Sequence, residues 1–455
     1  MSTAKSTLMI GVSGVRGVIG ETLTPEVVTR LCMAFGTYLN GGRVVLGRDT
    51  RTSGLMIKHS VIGALLSAGC EVMDLDVATT PTCALMVEEL KAAGGVIITG
   101  SHNPVQWNAL KFLKSNGVFL NDEEGKQMLN VYYQNAFRTA AWDGLGLVNN
   151  DYNGIEFHIK KVLDIVDVEL IRSKRFKVVL DSCNGAGAVI TPSLLSELGC
   201  DVECINCEPN GNFAHNPEPT IVNLKELCAK VKSTNSDIGF AQDPDADRLA
   251  LIDHTGHYIG EEYSVCLTSD YILRKNPGKT AVVNMSTTIA MEDICRKYKS
   301  KLIRTKVGEV HVAEAMLKEN GIIGGEGNGG VMYPLVHPGR DSLIGIGLIL
   351  QYMAESGKSI RALSAEIPKY FIVKDKINLT KNNGFKIMER LKGEAGKFKL
   401  ETIDGISLSA HEVKVNIRPS NTEPIIRIFA ESKSEAKSKK LVADYKKRVK
   451  SLMNI

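Results

Sequence analysis

Gly95-Val96-Ile97-Ile98, followed by Thr99-Gly100-Ser101-His102-Asn103-Pro104, is the stretch around which the rest of the chain is organised. The apolar run is short, β-branched and preceded by glycine, which predicts a buried strand. Gly100 and Pro104 predict a sharp turn directly after it. Because ligands of open α/β sheets lie beyond the carboxyl ends of the strands, this turn would present the Ser101 hydroxyl to a ligand. A serine in an ordinary surface turn is the alternative for this motif taken alone.

Three blocks of the chain repeat one layout of strands and helices. The strands that begin at Arg43, Lys177 and Thr280 are each followed by a polar loop, a helix and a second strand. Ser67-Ala-Gly-Cys-Glu-Val and Glu197-Leu-Gly-Cys-Asp-Val align without a gap. Strands that alternate with helices in this way predict parallel βαβ units with helices on both faces.

This repeat predicts an α/β protein with three similar doubly wound α/β domains and a smaller C-terminal α+β domain around a central cleft. Each α/β block ends in a further apolar strand and a distinctive polar loop, and loops at equivalent ends would point into one shared cleft. The predicted domains are 1-152 (domain I), 153-254 (domain II), 255-368 (domain III) and 369-455 (domain IV).

The composition is that of an ordinary globular protein of 455 residues, with 44% hydrophobic and 23% charged residues. No apolar run reaches the length of a membrane span and no secretory segment is recognised, so a cytoplasmic enzyme without a membrane partner is expected. The net charge of +4 is too small to argue for a nucleic-acid partner. The ten cysteines are scattered, as is common in a reducing compartment.

Asp243, Asp245 and Asp247 place three carboxylates in a short loop after an apolar strand. Alternate positions of an extended segment can converge on one ion, and hard divalent cations prefer oxygen ligands. An EF-hand is excluded, because Arg248 and His254 stand where that motif needs glycine and glutamate. Mg²⁺ is therefore the predicted cofactor, and an Asp-rich turn that caps a helix is the alternative.

Two further loops carry groups that bind sugars and anions. Gly325-Glu-Gly-Asn-Gly-Gly is polar, and Glu326 can accept hydrogen bonds from sugar hydroxyls. Arg418-Pro-Ser-Asn-Thr-Glu-Pro424 lies between two strand-like segments, and its guanidinium, hydroxyls and backbone N–H groups would make an anion cradle. A proline-bounded hairpin turn is the alternative for this second loop. Together with Ser101 and the three aspartates, these groups are those needed to move a phosphoryl group on a phosphosugar.

Over essentially its whole length the chain resembles the α-D-phosphohexomutase superfamily. The four loops described above match the superfamily's four signatures in the same order, and two amino-terminal motifs, Gly14-Val-Arg16-Gly17 and Gly47-Arg-Asp-Thr-Arg51, match as well. The loop with Asn328 and Gly330 is most similar to the archaeal-type phosphoglucosamine mutase branch.

The resemblance implies a Mg²⁺-dependent mutase that interconverts hexose 6-phosphates and 1-phosphates through a phosphoserine enzyme and a bisphosphorylated sugar. The implied metal ligands are a phosphoserine oxygen at Ser101 and the side chains of Asp243, Asp245 and Asp247. His102, Lys111 and Arg16 would assist at the reacting hydroxyl, and Arg248 would orient the phosphoserine. The implied substrate-binding residues are Glu326, Asn328, Arg418, Ser420, Asn421 and Thr422.

Glucosamine phosphate is the leading substrate of this interpretation, ahead of glucose and mannose phosphates. The expected partners are the phosphosugar and a sugar bisphosphate activator, in a monomer or homodimer. One alternative is a non-catalytic phosphosugar-binding paralogue. Such a protein would be free to lose the serine, the aspartates and the phosphate-loop arginine, yet all of them are present, which disfavours this alternative. A metal-dependent phosphatase, which would release phosphate steadily, is the other.

Overall fold

The computed structural model describes residues 8–11, 14–151, 153–379, 384–393, 396, 398–419 and 425–453. These residues form four β-sheets. We call the units built on these sheets domains I to IV, in chain order. The boundaries at residues 152, 254 and 368 stay predictions.

The sheet of domain I contains seven strands. They are β1 (Met9–Gly11), β2 (Gly14–Val18), β3 (Gly42–Arg48), β4 (Cys70–Val77), β5 (Gly94–Ile98), β6 (Trp107–Lys114) and β7 (Val148–Asn150), with helices α1 (Pro25–Tyr38), α2 (Gly54–Ser67), α3 (Thr80–Glu89) and α4 (Asp122–Gln134). The strand order is β1-β2-β6-β5-β3-β4-β7. The strand predicted before Ser101 is confirmed as β5, and all its residues are buried.

Domains II and III are built on sheets of four and five strands. Domain II has α5 (Gly154–Leu163), α6 (Val168–Lys174), β8 (Lys177–Asp181), a 3₁₀ turn (Ala186–Val189), α7 (Thr191–Glu197), β9 (Asp201–Ile205), α8 (Lys225–Ser233), β10 (Ile238–Gln242) and β11 (Leu249–Asp253). Domain III has α9 (Glu262–Lys275), β12 (Thr280–Asn284), α10 (Ala290–Lys297), β13 (Lys301–Thr305), α11 (Glu309–Glu319), β14 (Gly321–Glu326), β15 (Gly330–Tyr333), β16 (His337–Arg340), α12 (Ser342–Ser356) and α13 (Ile360–Ala365).

The predicted repeat is confirmed by the strand orders of these three sheets. Each contains the same run of four neighbouring strands, namely β4-β3-β5-β6, β9-β8-β10-β11 and β13-β12-β14-β15. The first three strands of each run are parallel, and the fourth is antiparallel to the third. The loops that carry Ser101, Asp243 and Glu326 all connect the third strand to the fourth, which places them at equivalent ends of their sheets.

Domain IV is an α+β unit with a sheet of order β17-β21-β20-β19-β18. Its elements are β17 (Phe371–Asn378), α14 (Gly384–Lys392), β18 (Lys399–Glu401), β19 (Ile406–Ala410), β20 (Val413–Pro419), β21 (Ile425–Ser432) and α15 (Glu435–Met453). The pairing of β20 with β21 is antiparallel, as the predicted hairpin requires. Its buried apolar residues form a cluster of their own, from Ile377 to Leu452.

Helix α12 is the most apolar part of the core between domains II and III. It is buried along nearly its whole length and packs against α5, α6 and α9. Asp341 caps its first turn, and the same carboxylate lies 2.9 Å from His158 Nε2, whose Nδ1 lies 2.9 Å from Thr82 Oγ1. Domains I, II and III therefore meet at one buried histidine, His158. None of the helices in the described part of the chain is both long and apolar enough to span a membrane.

Candidate active site

A buried arginine, Arg51, binds the backbone of the loop that contains Ser101. Arg51 donates from Nη2 to the carbonyl oxygens of Ser101 at 2.6 Å and Asn103 at 2.7 Å, and its Nε lies 3.0 Å from Asp49 Oδ2. A side chain at Gly100 would collide with this guanidinium, since a Cβ there would lie 2.9 Å from Arg51 Cζ. The loop therefore wraps a fixed, fully buried cation, which explains why the turn needs glycine at this position.

Ser101 itself is turned toward the carboxylates of domain II. Its backbone has φ of +48°, in the left-handed region, which is costly for a residue other than glycine and is often found at functional sites. The hydroxyl donates to Asp243 Oδ2 at 2.9 Å and lies 3.4 Å from His102 Nδ1. Only 6% of Ser101 is exposed. The predicted serine and the predicted carboxylate loop thus meet across the interface of domains I and II.

The three aspartates form one fully buried cluster whose ligand atoms lie within 4.8 Å of one another. Asp245 Oδ2 accepts from Thr80 Oγ1 at 2.6 Å and from Lys111 Nζ at 2.7 Å, while Asp247 Oδ2 accepts from Arg340 Nη2 at 2.6 Å. The Oδ1 atoms of Asp245 and Asp247 are buried and have no hydrogen-bond partner in the described part of the chain. Outer oxygens held by protein donors and inner oxygens left open are the arrangement expected of metal ligands, so the cluster fits a divalent cation.

Electrostatics within the cluster also favour a bound cation. Burial and the neighbouring carboxylates of Asp247 and Asp245 hold the pKa of Asp243 well above its usual range. Burial acts in the same direction on Asp245, but the ammonium of Lys111 and hydrogen bonds from Lys111 and Thr80 outweigh it and lower the pKa of that carboxyl. Burial would lower the pKa of Lys111, yet Asp245 and Asp247 raise it. Lys111 is therefore a protonated, charge-compensating group in this arrangement.

Further cations surround Ser101 on the open side of the cluster. Arg248 Nε lies 3.7 Å from Asp243 Oδ2 and 3.8 Å from Asp247 Oδ1, and none of the residues that the structure describes forms a hydrogen bond with this atom. Arg16 donates to Asn103 Oδ1 at 3.1 Å. The charges of Arg248 and Arg16, with burial, hold the pKa of His102 well below its usual range. This imidazole is consequently neutral near pH 7 and retains a nitrogen that accepts a proton.

Arg340 connects the carboxylate loop to domain III, and the sequence patterns alone did not single it out. Its guanidinium lies 2.6 Å from Asp247, 3.0 Å from Glu309 and 2.9 Å from Glu326. These carboxylates outweigh burial and hold the pKa of Arg340 well above its usual range. A Cβ at Gly330 would lie 2.1 Å from Arg340 Cδ, so glycine at this position makes room for the arginine. Gly330 is therefore the feature of the sequence that could have indicated a large side chain packed at this position.

Residues 325–330 of domain III, the predicted sugar loop, carry one acceptor that is satisfied and one that is open. Glu326 is 3% exposed, and its Oε1 accepts from Asn284 Nδ2 at 2.7 Å and from the Gly308 N–H at 3.0 Å. Arg340 and the hydrogen bond from Asn284 outweigh burial and lower the pKa of Glu326, which is therefore an anion. Asn328 Oδ1 is buried without a hydrogen-bond partner, as expected of an atom that a ligand would satisfy.

Arg418 lies near the end of β20 in domain IV. A cavity of about 450 Å³ has Arg16 of domain I, Gly308 of domain III and Arg418 of domain IV in its wall. This volume is within the range of small-molecule sites. Arg418 Nη1 lies 3.3 Å from Asp404 Oδ2, and its Nε has no hydrogen-bond partner among the described residues. The other predicted residues of this loop, Ser420, Asn421 and Thr422, lie outside the described residues.

Family models match the chain along almost its whole length. They are the phosphoglucomutase/phosphomannomutase alpha/beta/alpha domain I at residues 7–139, domain II at 156–256, domain III at 261–371 and the C-terminal domain at 372–448. The chain therefore belongs to the phosphoglucomutase/phosphomannomutase family. It is an enzyme, a mutase that transfers phosphoryl groups on hexose phosphates, and the family resemblance predicted from the loops is confirmed.

Two relatives come from the archaeon Thermococcus kodakarensis. A phosphoglucomutase/phosphomannomutase is 40% identical and covers 95% of this chain and 96% of its own. A probable phosphoglucosamine mutase is 36% identical and covers 98% of both. Among solved structures, a phosphoglucomutase/phosphomannomutase family protein of Burkholderia thailandensis has a TM-score of 0.86 at 25% identity, covering 97% of this chain and 98% of that chain.

A more distant structure extends the likeness of fold. It is the N-acetylphosphoglucosamine mutase of Aspergillus fumigatus in complex with GlcNAc-6P and magnesium, with a TM-score of 0.61 at 13% identity. The alignment covers 98% of this chain and 96% of that chain. The architecture is therefore shared well beyond the range of close sequence similarity.

Proposed function

We propose that the chain interconverts hexose 6-phosphates and hexose 1-phosphates through phosphorylated Ser101. The observation that carries this proposal is the contact between Ser101 Oγ and Asp243 at 2.9 Å, at the edge of an open carboxylate cluster and beside Arg248. In the forward half-reaction the P–O bond to Ser101 breaks as a bond to the sugar hydroxyl forms. The bisphosphorylated sugar then turns over and returns its other phosphoryl group to Ser101, so phosphate is conserved.

The charged groups of the site are proposed to act by position and charge, which dominate phosphoryl transfer. Arg16, Arg248 and Lys111 would offset the negative charge of the transferring phosphoryl group. Lys111 has this role, and not that of a base, because its ammonium group is already protonated. His102 is neutral, and it is the proposed acceptor of the hydroxyl proton when the negative charge of the phosphoryl group offsets the charges of Arg248 and Arg16. Exchange of this proton between sugar and serine oxygens closes the cycle without net acid or base.

Mg²⁺ is the proposed ion of the carboxylate cluster. Asp243, Asp245, Asp247 and an oxygen of phosphorylated Ser101 would hold it, since an all-oxygen donor set completed by phosphate is typical of this ion. When bound, the ion would supply Lewis-acid stabilisation of charge on the phosphoryl oxygens. Thr80, Lys111 and Arg340 occupy Oδ2 of Asp245 and Asp247, which would leave the Oδ1 atoms of these two carboxylates for the ion.

Glucosamine phosphate is the proposed substrate. The loop with Asn328 and Gly330 resembles the archaeal-type branch, and the probable phosphoglucosamine mutase of Thermococcus kodakarensis matches over 98% of the chain. Glu326 and Asn328 would bind the hydroxyl groups, while Arg418 with Ser420, Asn421 and Thr422 would bind the phosphate that is not being transferred. A sugar bisphosphate is the proposed activator, since it would phosphorylate Ser101.

Glucose or mannose phosphate is the second candidate. The phosphoglucomutase/phosphomannomutase of the same archaeon is 40% identical, against 36% for its probable phosphoglucosamine mutase. The structure adds that Glu326 already has Arg340 as an ionic partner at 2.9 Å. A substrate ammonium group would have to compete with this guanidinium, so Glu326 alone does not select an amino sugar.

A Mg²⁺-supplemented mutase assay on glucosamine 6-phosphate, glucose 1-phosphate and mannose 1-phosphate, each primed with the matching bisphosphate, tests this assignment. We expect the highest kcat/KM for glucosamine 6-phosphate. A clear lead for glucose or mannose phosphate would keep the mechanism and replace the substrate. Steady release of inorganic phosphate would indicate a phosphatase, and inactivity on all three sugars despite a phosphorylated Ser101 would contradict the proposed activity.

A further inference from the structure

The carboxylate of Glu326 is oriented by two separate segments of domain III. Its Oε1 accepts one hydrogen bond from Asn284 Nδ2 at 2.7 Å, at the end of β12, and another from the Gly308 N–H at 3.0 Å, just before α11. The position of Glu326 therefore depends on how both segments are placed. Domain IV contacts both of them.

Asp404 makes the contact with the Gly308 segment. Its Oδ2 accepts from the Val307 N–H at 3.1 Å, next to the peptide that binds Glu326. The same oxygen lies 3.3 Å from Arg418 Nη1. One carboxylate of domain IV therefore holds both the phosphate-loop arginine and the segment that orients the sugar-binding glutamate.

Glu431 makes the contact with the Asn284 segment. It accepts hydrogen bonds from Thr288 Oγ1 and, at 3.0 Å, from the Ile289 N–H, so a carboxylate of domain IV caps the first turn of α10 in domain III. Glu431 is 5% exposed, and burial raises its pKa. A buried carboxylate that loses its hydrogen-bond donors costs free energy. The contact of Glu431 therefore favours the one position of domain IV in which both donors are reached.

Thr287 precedes Thr288, which binds Glu431, and it connects this segment to the sugar loop. Lys414 of domain IV donates to the Thr287 carbonyl oxygen at 3.2 Å. Thr287 in turn donates from Oγ1 to Asn284 Oδ1 at 3.0 Å and accepts from the Gly327 N–H at 3.1 Å. An unbroken series of hydrogen bonds thus runs from domain IV through Thr287 and Asn284 to Glu326.

Domain IV has an apolar core of its own. Most of the buried apolar residues of domain IV pack among themselves and form a cluster separate from those of the other domains. Val413 is buried outside this cluster and lines a cavity together with Ile289 and Leu302 of domain III. The contacts described above are polar instead. Polar interfaces between domains with independent cores allow relative movement.

We propose that Asp404 and Glu431 are positioning residues that set the orientation of Glu326 when domain IV docks on domain III. This inference rests on the proposed function, because it assigns Glu326 to the sugar and Arg418 to the phosphate. Phosphate bound by domain IV would favour docking, and docking would order the sugar-binding carboxylate. The affinity for a phosphosugar would thereby exceed the affinity that the sugar-binding and phosphate-binding residues would give if they acted independently.

A double-mutant cycle tests the proposal, with Asp404→Ala and Glu431→Ala each made alone and together with Glu326→Gln. Glu431→Ala is expected to lower kcat/KM about tenfold in the wild-type background and less than about twofold in the Glu326→Gln background, since residues that act through a shared group are not additive. Asp404→Ala is expected to lose less in the Glu326→Gln background than in the wild type, and to keep the part of its loss that comes from its contact with Arg418. Asp444→Ala, which changes an exposed carboxylate on α15, is the matched control and is expected to leave kcat/KM within about twofold in both backgrounds. Equal losses in both backgrounds would overturn the proposal.

Amide hydrogen exchange gives a readout that does not depend on activity. Exchange in peptides that contain Gly308 and Gly327 is expected to accelerate at least about tenfold in Asp404→Ala and Glu431→Ala, and to stay unchanged in Asp444→Ala. An enzyme inactive on every hexose phosphate would refute the proposed function while these exchange rates still report on docking. Unchanged exchange in both docking variants, at full retention of the folded state, would overturn the inference.

Discussion

Replacing Ser101 by alanine is expected to lower kcat for the mutase reaction by at least about 10⁴-fold, the order of loss that follows removal of a covalent nucleophile. The proposed cycle needs one oxygen that gives and takes back the phosphoryl group, and Ser101 Oγ is the hydroxyl that contacts the carboxylate cluster through Asp243. Steady-state kinetics with a saturating bisphosphate activator measure the effect, so that incomplete phosphorylation of the wild type does not mask it.

Folding of the Ser101→Ala variant should be unaffected, because one hydroxyl is removed and the left-handed backbone at this position is about as costly for alanine as for serine. Ser173→Ala, on the exposed face of α6, is the matched control and is expected to keep kcat within about twofold. Near-normal mutase activity in Ser101→Ala would refute the phosphoserine mechanism outright.

Replacing Asp247 by asparagine is expected to lower kcat by about 10²- to 10³-fold, corresponding to the several kcal/mol that a metal contributes to charge stabilisation. The open Oδ1 of Asp247 is a proposed metal ligand, and its Oδ2 accepts from Arg340 at 2.6 Å. An amide at this position weakens both interactions. The Mg²⁺ concentration that gives half-maximal activity should rise at least roughly tenfold.

Titration of activity with Mg²⁺ after treatment with a chelator measures this effect. Asp201→Asn makes the same chemical change at an exposed position of β9 and should leave the Mg²⁺ response of the wild type. A normal Mg²⁺ response in Asp247→Asn would show that the ion is held elsewhere. Binding of Mg²⁺ to unphosphorylated protein, measured by calorimetry, separates weaker binding from slower chemistry.

Local motifs at strand ends made much of the site predictable from the sequence. Ser101, Asp243 and Glu326 each follow a short apolar strand, and the repeat of strand order explains why these loops meet. The predicted fold class, the three similar sheets and the separate α+β unit are confirmed for the same reason: hydrophobic runs and turn residues are local properties of the chain.

The residues that hold the site together were not predictable in the same way. Arg340 binds Asp247, which lies 93 positions earlier in the chain, and Arg51 binds the backbone of Ser101, 50 positions later. Asp404 joins Arg418 to domain III. Such contacts depend on the packing of whole domains, and a single sequence carries no periodic signal for them. Lys111 shows the same limit, since only the structure pairs it with Asp245 and assigns it a raised pKa.

The most direct test of the account is a single-turnover measurement of phosphoryl transfer from the enzyme to the sugar. The protein is labelled with radioactive phosphate from a sugar bisphosphate, freed of small molecules and mixed with excess hexose monophosphate in a rapid-quench device. The account predicts that the label starts on Ser101 and appears in the sugar bisphosphate at least as fast as kcat. Label that stays on the protein, or that leaves as inorganic phosphate while mutase turnover continues, would contradict it.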